Sequence, residues 1–172
     1  MKSIKELRHQ LNTPEAIQAF LFGGKAFVTL LNTEKNTRLT FKVNQPKKLK
    51  GSNMHFVSVM KGADNEQSYT FVGTIFDEKS FKHSRKSMES QDGVASKTIN
   101  AFMNMLNTKQ IHSKLEVWHE GRCGCCGRKL TVPESIVTGL GPLCAARKAK
   151  ATDSKPAKQG IVAKKELNNN TQ

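Results

Sequence analysis

Apolar residues change their spacing twice along this chain, and each change marks a change of element. Ile4, Leu7 and Leu11 fall at helical intervals and predict a short polar helix over about 3–11. A second helix has a clear start, with Thr13 as N-cap, Pro14 at the first helical position and Glu15 in the first turn. Ile17, Phe20 and Leu21 continue it until Gly23 and Gly24 end it. From Lys25 the period becomes two. Residues 26–31 read as a mostly buried strand and 38–43 as its hairpin partner, with Leu39, Phe41 and Val43 facing inward. Beyond a basic loop at 46–51, residues 55–60 and 69–76 form a second strand pair, and the polar stretch 77–91 reads as a loop. Helical spacing returns with Ile99, Phe102, Met103 and Leu106, predicting a helix over 94–107 that covers one face of the sheet. A short strand at 115–118 leads into a cysteine cluster, and from about Arg147 the chain has too few large apolar side chains to order itself.

These elements predict an α+β fold: N-terminal helices, a four-stranded antiparallel sheet packed on one helix, a small C-terminal zinc module and a disordered basic tail. The corresponding segments are 1–24, 25–114, 115–147 and 148–172. A chain of 172 residues is long enough for one domain with appendages, since domains commonly run to about 100–150 residues.

Charge narrows the range of partners. Lysine and arginine total 28 against 14 acidic residues, a formal +14, so polyanions are the first partners to consider. The first ten residues lack the apolar core of a signal peptide, and no apolar run approaches the roughly 20 residues that cross a bilayer, so the expected compartment is the cytoplasm. There, clustered cysteines more often hold metal than pair as disulfides.

All four cysteines lie between 123 and 144, in the pattern His119-x3-Cys123-x2-Cys126-x17-Cys144. A Cys-x-x-Cys followed by Gly127 suits a zinc knuckle, because the turn aims backbone N–H groups at the thiolates and glycine tolerates positive φ. Gly139 and Gly141 permit a sharp turn before Pro142, which suits the first position of a helix. Cys144 then sits in the first turn, where the helix dipole favours thiolate. Between them Thr131-Val-Pro-Glu134 is a capping-box pattern that starts a short helix ended by Gly139. The expected cofactor is a structural Zn2+ held by His119, Cys123, Cys126 and Cys144. His112 is an alternative to His119, and Cys125 competes with Cys126. A catalytic zinc needs an open position and a carboxylate in a recognisable motif, and none of those motifs is present, so no catalytic residue, enzyme activity or small-molecule substrate is inferred.

The run from Trp118 to Cys144 resembles the C-terminal zinc-finger-like segment of small, uncharacterised phage and prophage proteins, whose motif is Cys-x2-Cys-Gly-Arg-x-Leu, then Ser, then Gly-x-Gly-Pro-x-Cys. The resemblance is strongest over about 118–146. It implies Cys123, Cys126, Cys144 and His119 as metal ligands, with Arg128, Leu130, Ser135, Gly139, Gly141 and Pro142 as framework. Cys125 falls at a variable position. A viral origin and a host-cell cytoplasmic location are implied, without an activity.

The expected function is nucleic-acid binding. Phosphate contacts would come from Lys47, Lys48, Lys50, Lys82, Arg85, Lys86, Arg122, Arg128, Lys129, Arg147 and Lys148, with Arg38 and Lys42 on the sheet. One Trp and one Tyr argue against a stacking platform and for backbone-dominated binding. The alternative is a protein-interaction module acting on a host protein, as a takeover or anti-defence factor would.

Overall fold

The computed structural model describes residues 9–49, 51–63 and 67–153. Seven strands form one antiparallel sheet among the described residues: β1 (Gln10–Leu11), β2 (Lys25–Asn32), β3 (Thr37–Asn44), β4 (Met54–Met60), β5 (Tyr69–Phe76), β6 (Ser80–His83) and β7 (Leu115–His119), in spatial order β1-β7-β2-β3-β4-β5-β6. Four helices accompany it: α1 (Pro14–Leu21), α2 (Val94–Thr108), α3 (Pro133–Thr138) and α4 (Pro142–Asp153).

The alternation in β2 to β5 directs one set of side chains inward. Ala26, Val28 and Leu30, Phe41 and Val43, and Val57 and Val59 are all buried. On β5 the register shifts opposite Val57 and Ser58, so that Val72 is an extra residue in the strand. Val72 and Ile75 are both buried as a result, while Tyr69, Phe71, Thr74 and Phe76 point to the opposite face. Helix α2 buries Ile99, Phe102, Met103 and Leu106 against the inward face, and α1 adds Ile17, Phe20 and Leu21 to the same core. The Thr13 side chain caps α1 by accepting from the Ala16 N–H at 3.2 Å.

The structure departs from the sequence expectation in four places. The sheet has seven strands rather than four. Within the expected loop 77–91, β6 pairs with β5, its residues Phe81 and His83 half-buried on the core side. Of the helix expected over 3–11, residues 1–8 lie outside the described residues, and Gln10–Leu11 are strand, paired with Trp118 and Val117. Leu11 meets the core through this pairing. At the other end, α4 runs to Asp153, so residues 148–153 are helical instead of belonging to a disordered tail. Alanine-rich sequence sustains this turn without burying much apolar surface. The rest of that expected tail, 154–172, lies outside the described residues, as does Lys50.

Strand β7 gives the fold its functional shape. It lies between β1 and β2, opposite Val28 to Asn32, and its end at His119 delivers the cysteine cluster to the edge of the hydrophobic core.

Candidate metal centre

The knuckle is built by backbone hydrogen bonds around Gly121 to Leu130. Cys123 N–H donates to Arg128 C=O at 2.8 Å, Gly127 N–H to Cys123 C=O at 2.9 Å, and Leu130 N–H to Gly121 C=O at 2.7 Å, with Arg122 and Lys129 bridged across the turn. Gly127 has φ +77°, the left-handed conformation that closes this turn. Gly124 is required for another reason. A Cβ there would lie 2.5 Å from the Phe20 carbonyl oxygen, and Gly124 C=O accepts from Lys25 N–H at 2.8 Å. The knuckle is therefore pressed against the junction of α1 and β2.

The third cysteine arrives on α4. Helix α3 ends at Gly139, in the left-handed conformation with φ +71°, and Gly124 N–H donates to its carbonyl at 3.0 Å. The N-cap of α3 is Val132, without a side-chain cap bond, so the expected Thr131–Glu134 capping box does not form. Pro133 at the helix start supplies the start signal instead. After Gly141, helix α4 begins and places Cys144 in its first turn. Gly141 N–H reaches the Cys123 sulfur at 3.3 Å.

The sulfurs of Cys123, Cys126 and Cys144 consequently lie within 4.8 Å of one another. Tetrahedral zinc with bonds of about 2.3 Å sets sulfur–sulfur separations of roughly 3.8 Å, so a small contraction would complete three corners of a site. Cys123 and Cys144 are buried, and Cys126 is exposed. Burial alone would raise the Cys123 thiol, but N–H donors from Gly141, Cys126 and Cys125 outweigh it and bring the group down to about 7. Cys144 is pushed up to about 12, first by burial and then by the neighbouring thiols of Cys126, Cys123 and Cys125. One easily ionised thiol beside another held protonated is what a cation would relieve, since metal binding removes both protons. These residues could hold a metal ion. Cys125, the expected competitor of Cys126, is half-buried, and its sulfur is close enough to Cys144 to contribute to that shift.

His119 is placed differently from the expectation. Gly121 N–H donates to its Nδ1 at 3.0 Å, so Nε2 carries the proton and donates to the Ile136 carbonyl at 2.6 Å. No lone pair remains for a metal. The ring stacks on His9 at 5.1 Å and tilts against Phe20 at 5.4 Å, and burial lowers its pKa below the ordinary 6.5. Its role here is to pin α3 to the end of β7. The spacing to Cys123 suggested a ligand; the carbonyl that competes for the ring is 17 residues away in sequence. The alternative, His112, is exposed, and its Nδ1 accepts from Lys114 N–H at 3.2 Å.

The sequence-selected cations divide into groups. Arg128, Lys129 and Arg147 line a cavity of about 300 Å³ beside the three thiols. Arg122 and Lys47 share a groove of about 520 Å³ on the other side of the knuckle, and exposed Lys48 adjoins Lys47 in a single 3-10 turn. Lys82, Arg85 and Lys86 are exposed but lie on and after β6, at the opposite edge of the sheet. Lys148 does not belong among phosphate contacts. Its Nζ donates to the Ala19 carbonyl at 2.8 Å, and burial, as the leading cause, lowers its pKa. It ties α4 to α1.

No curated protein and no solved structure matches the chain. Residues 115–147, which span β7, the knuckle, α3 and the first half of α4, match a family of unknown function, DUF6011.

Proposed function

We propose that this chain is a nucleic-acid-binding accessory protein of the phage type, with a C-terminal module stapled by a structural zinc ion and no catalytic role. Zinc fits a donor set of three thiols, with Cys125 or water as the fourth donor. The ion would lock the knuckle to α4. The observation that carries the binding reading is the position of Arg128, Lys129 and Arg147 around the thiol cluster, with Arg122 and Lys47 across the knuckle, on a chain of formal charge +14. Such a cluster releases counterions from a phosphate backbone, which makes binding steeply salt-dependent. Thiols held as metal ligands suit a reducing compartment, supporting a place in the host cytoplasm. Among the described residues no helix is long and apolar enough to cross a membrane.

Binding of labelled DNA and RNA at increasing salt tests this reading. The logarithm of affinity should fall linearly with the logarithm of salt, with slope about −0.7 to −0.9 per phosphate engaged, and joint substitution of Arg128→Glu and Lys129→Glu should flatten it. Absence of any salt-sensitive complex at micromolar protein rejects it.

A second reading has its own support. Leu143, Val137 and Val132 are 70%, 56% and 44% exposed on the same module, an apolar group that would suit a protein partner. A stoichiometric protein partner that survives nuclease treatment would favour this reading.

A further inference from the structure

The sheet has two faces, and the helices' buried side chains join the core on only one of them. The register of the ladders sends Phe27, Phe56, Tyr69, Phe71, Phe76 and Trp118 to the other face. The chain holds nine Phe, one Tyr and one Trp, so more than half of its aromatic rings gather there, each half-buried. Composition alone argued against a stacking surface because it cannot show such gathering. Phe27 meets Tyr69 edge to face at 5.7 Å, and Phe56 meets Phe71 likewise at 5.8 Å. Lys42 Nζ stands 5.6 Å from the Phe27 ring and 5.8 Å from the Tyr69 ring, and Lys82 Nζ stands 5.6 Å from Phe76.

We propose that this face, which no helix among the described residues packs against, binds single-stranded nucleic acid, its bases stacking on the aromatic rings and its phosphates held by cations among and beside them. The inference rests on the nucleic-acid reading above and adds the strandedness and the surface. Charge complementarity selects this occupant over a second protein. Lysines set among rings would be costly to desolvate in an apolar protein interface, whereas cations interleaved with π-faces match alternating phosphates and bases. The groove of about 520 Å³ continues the face toward the knuckle, where Phe27 lies with Lys25, Lys42, Lys47 and Arg122. Glu120 is the acidic residue in that groove. On the face itself the Glu116 carboxylate accepts from the Trp118 indole N–H at 3.0 Å, which leaves the cations of the face in excess. From β7 to β5 is four strand spacings, roughly 19 Å, enough for several stacked nucleotides.

The test titrates the full chain with oligo(dT) of about 15 nucleotides, and with a duplex of equal length, following anisotropy of a label on the nucleic acid and emission of the single tryptophan. The single strand should bind at least about ten-fold more tightly than the duplex and quench Trp118. Phe71→Leu and Phe56→Leu keep apolar bulk but remove the ring. Each should weaken single-strand binding about ten-fold and leave duplex binding unchanged, while Phe71→Tyr retains it. Equal affinity for both forms, unquenched Trp118 emission and no effect of the leucine changes would overturn the inference while leaving charge-driven binding intact. A dimer that buries this face in sedimentation would also overturn it. Should the leucine variants misfold, the wild-type preference and the quenching still decide. If neither form binds at low salt, the functional reading fails with it.

Discussion

The sheet and the cysteine module are stabilised by different means. Twenty buried apolar residues from six strands, two helices and the Phe22 C-cap form the sheet's core. The module's cluster consists of Cys123, Leu130, Leu140 and Cys144, with Ala19, Cys125, Ile136 and Ala145 packed against it. Two of those four buried side chains are thiols. At about 1.5–3 kcal/mol per fully buried large side chain, the first region can outweigh its conformational entropy and the second cannot. Small modules close that gap with a metal or disulfides, and these four cysteines are free. Where the sheet is held by burial, the module needs cross-links: the proposed metal, His119, Lys148 and the contact of the knuckle with α1.

Breaking the sheet should have the largest effect. Phe41 is fully buried at the centre of β3, and Phe41→Ala should cost about 3–5 kcal/mol in urea unfolding, reducing the stability of both regions because the module has little core of its own. The module side is tested by His119→Ala, which strands the Gly121 N–H and the Ile136 carbonyl. We expect a loss of about 1–3 kcal/mol, while the metal content of the purified protein stays unchanged. Loss of metal in that variant would restore His119 as a ligand.

A smaller effect isolates α1, the element that both regions share. Thr13→Ala removes the cap bond to Ala16 and should lower stability by about 1 kcal/mol in the same assay.

Mild acid should have a smaller effect near neutral pH. Burial lowers the pKa of both His55 and His119 below 6.5. Charged or titratable groups bearing on them are Glu78 and Lys148 for His55, and His9 for His119. The unfolded chain therefore takes up more protons than the folded one below that value. The stability is complete above about pH 6.5 and is lost as pH falls through and below it. His55→Phe should flatten this part of the pH profile of the unfolding midpoint, and an unchanged slope would show that His55 contributes nothing to it.

Much of this organisation was legible in the sequence. Strands β2 to β5 and helices α1 and α2 could be read because each buries one face, which imposes its period on the residues. Strand β6 was missed because it is a short edge strand whose Lys82 and Ser80 face outward, leaving Phe81 as the one large apolar residue of four. β1 has two residues and exists through its pairing with β7, which no local pattern records. The three thiols were legible from spacing, since a knuckle is a local structure. The fate of His119 was not, because a carbonyl on α3 decides it. The aromatic face was hidden for the same reason: alternate residues on several strands become neighbours only once the register is set.

The difference between the two regions is best measured by hydrogen exchange on the full chain, with and without a tight chelator, alongside metal analysis of the untreated protein. One zinc per chain is expected, and chelation should raise exchange across the knuckle, α3 and the start of α4 while β2 to β5 remain protected. Protein that carries no metal, or a module equally protected after chelation, would contradict a metal-held module.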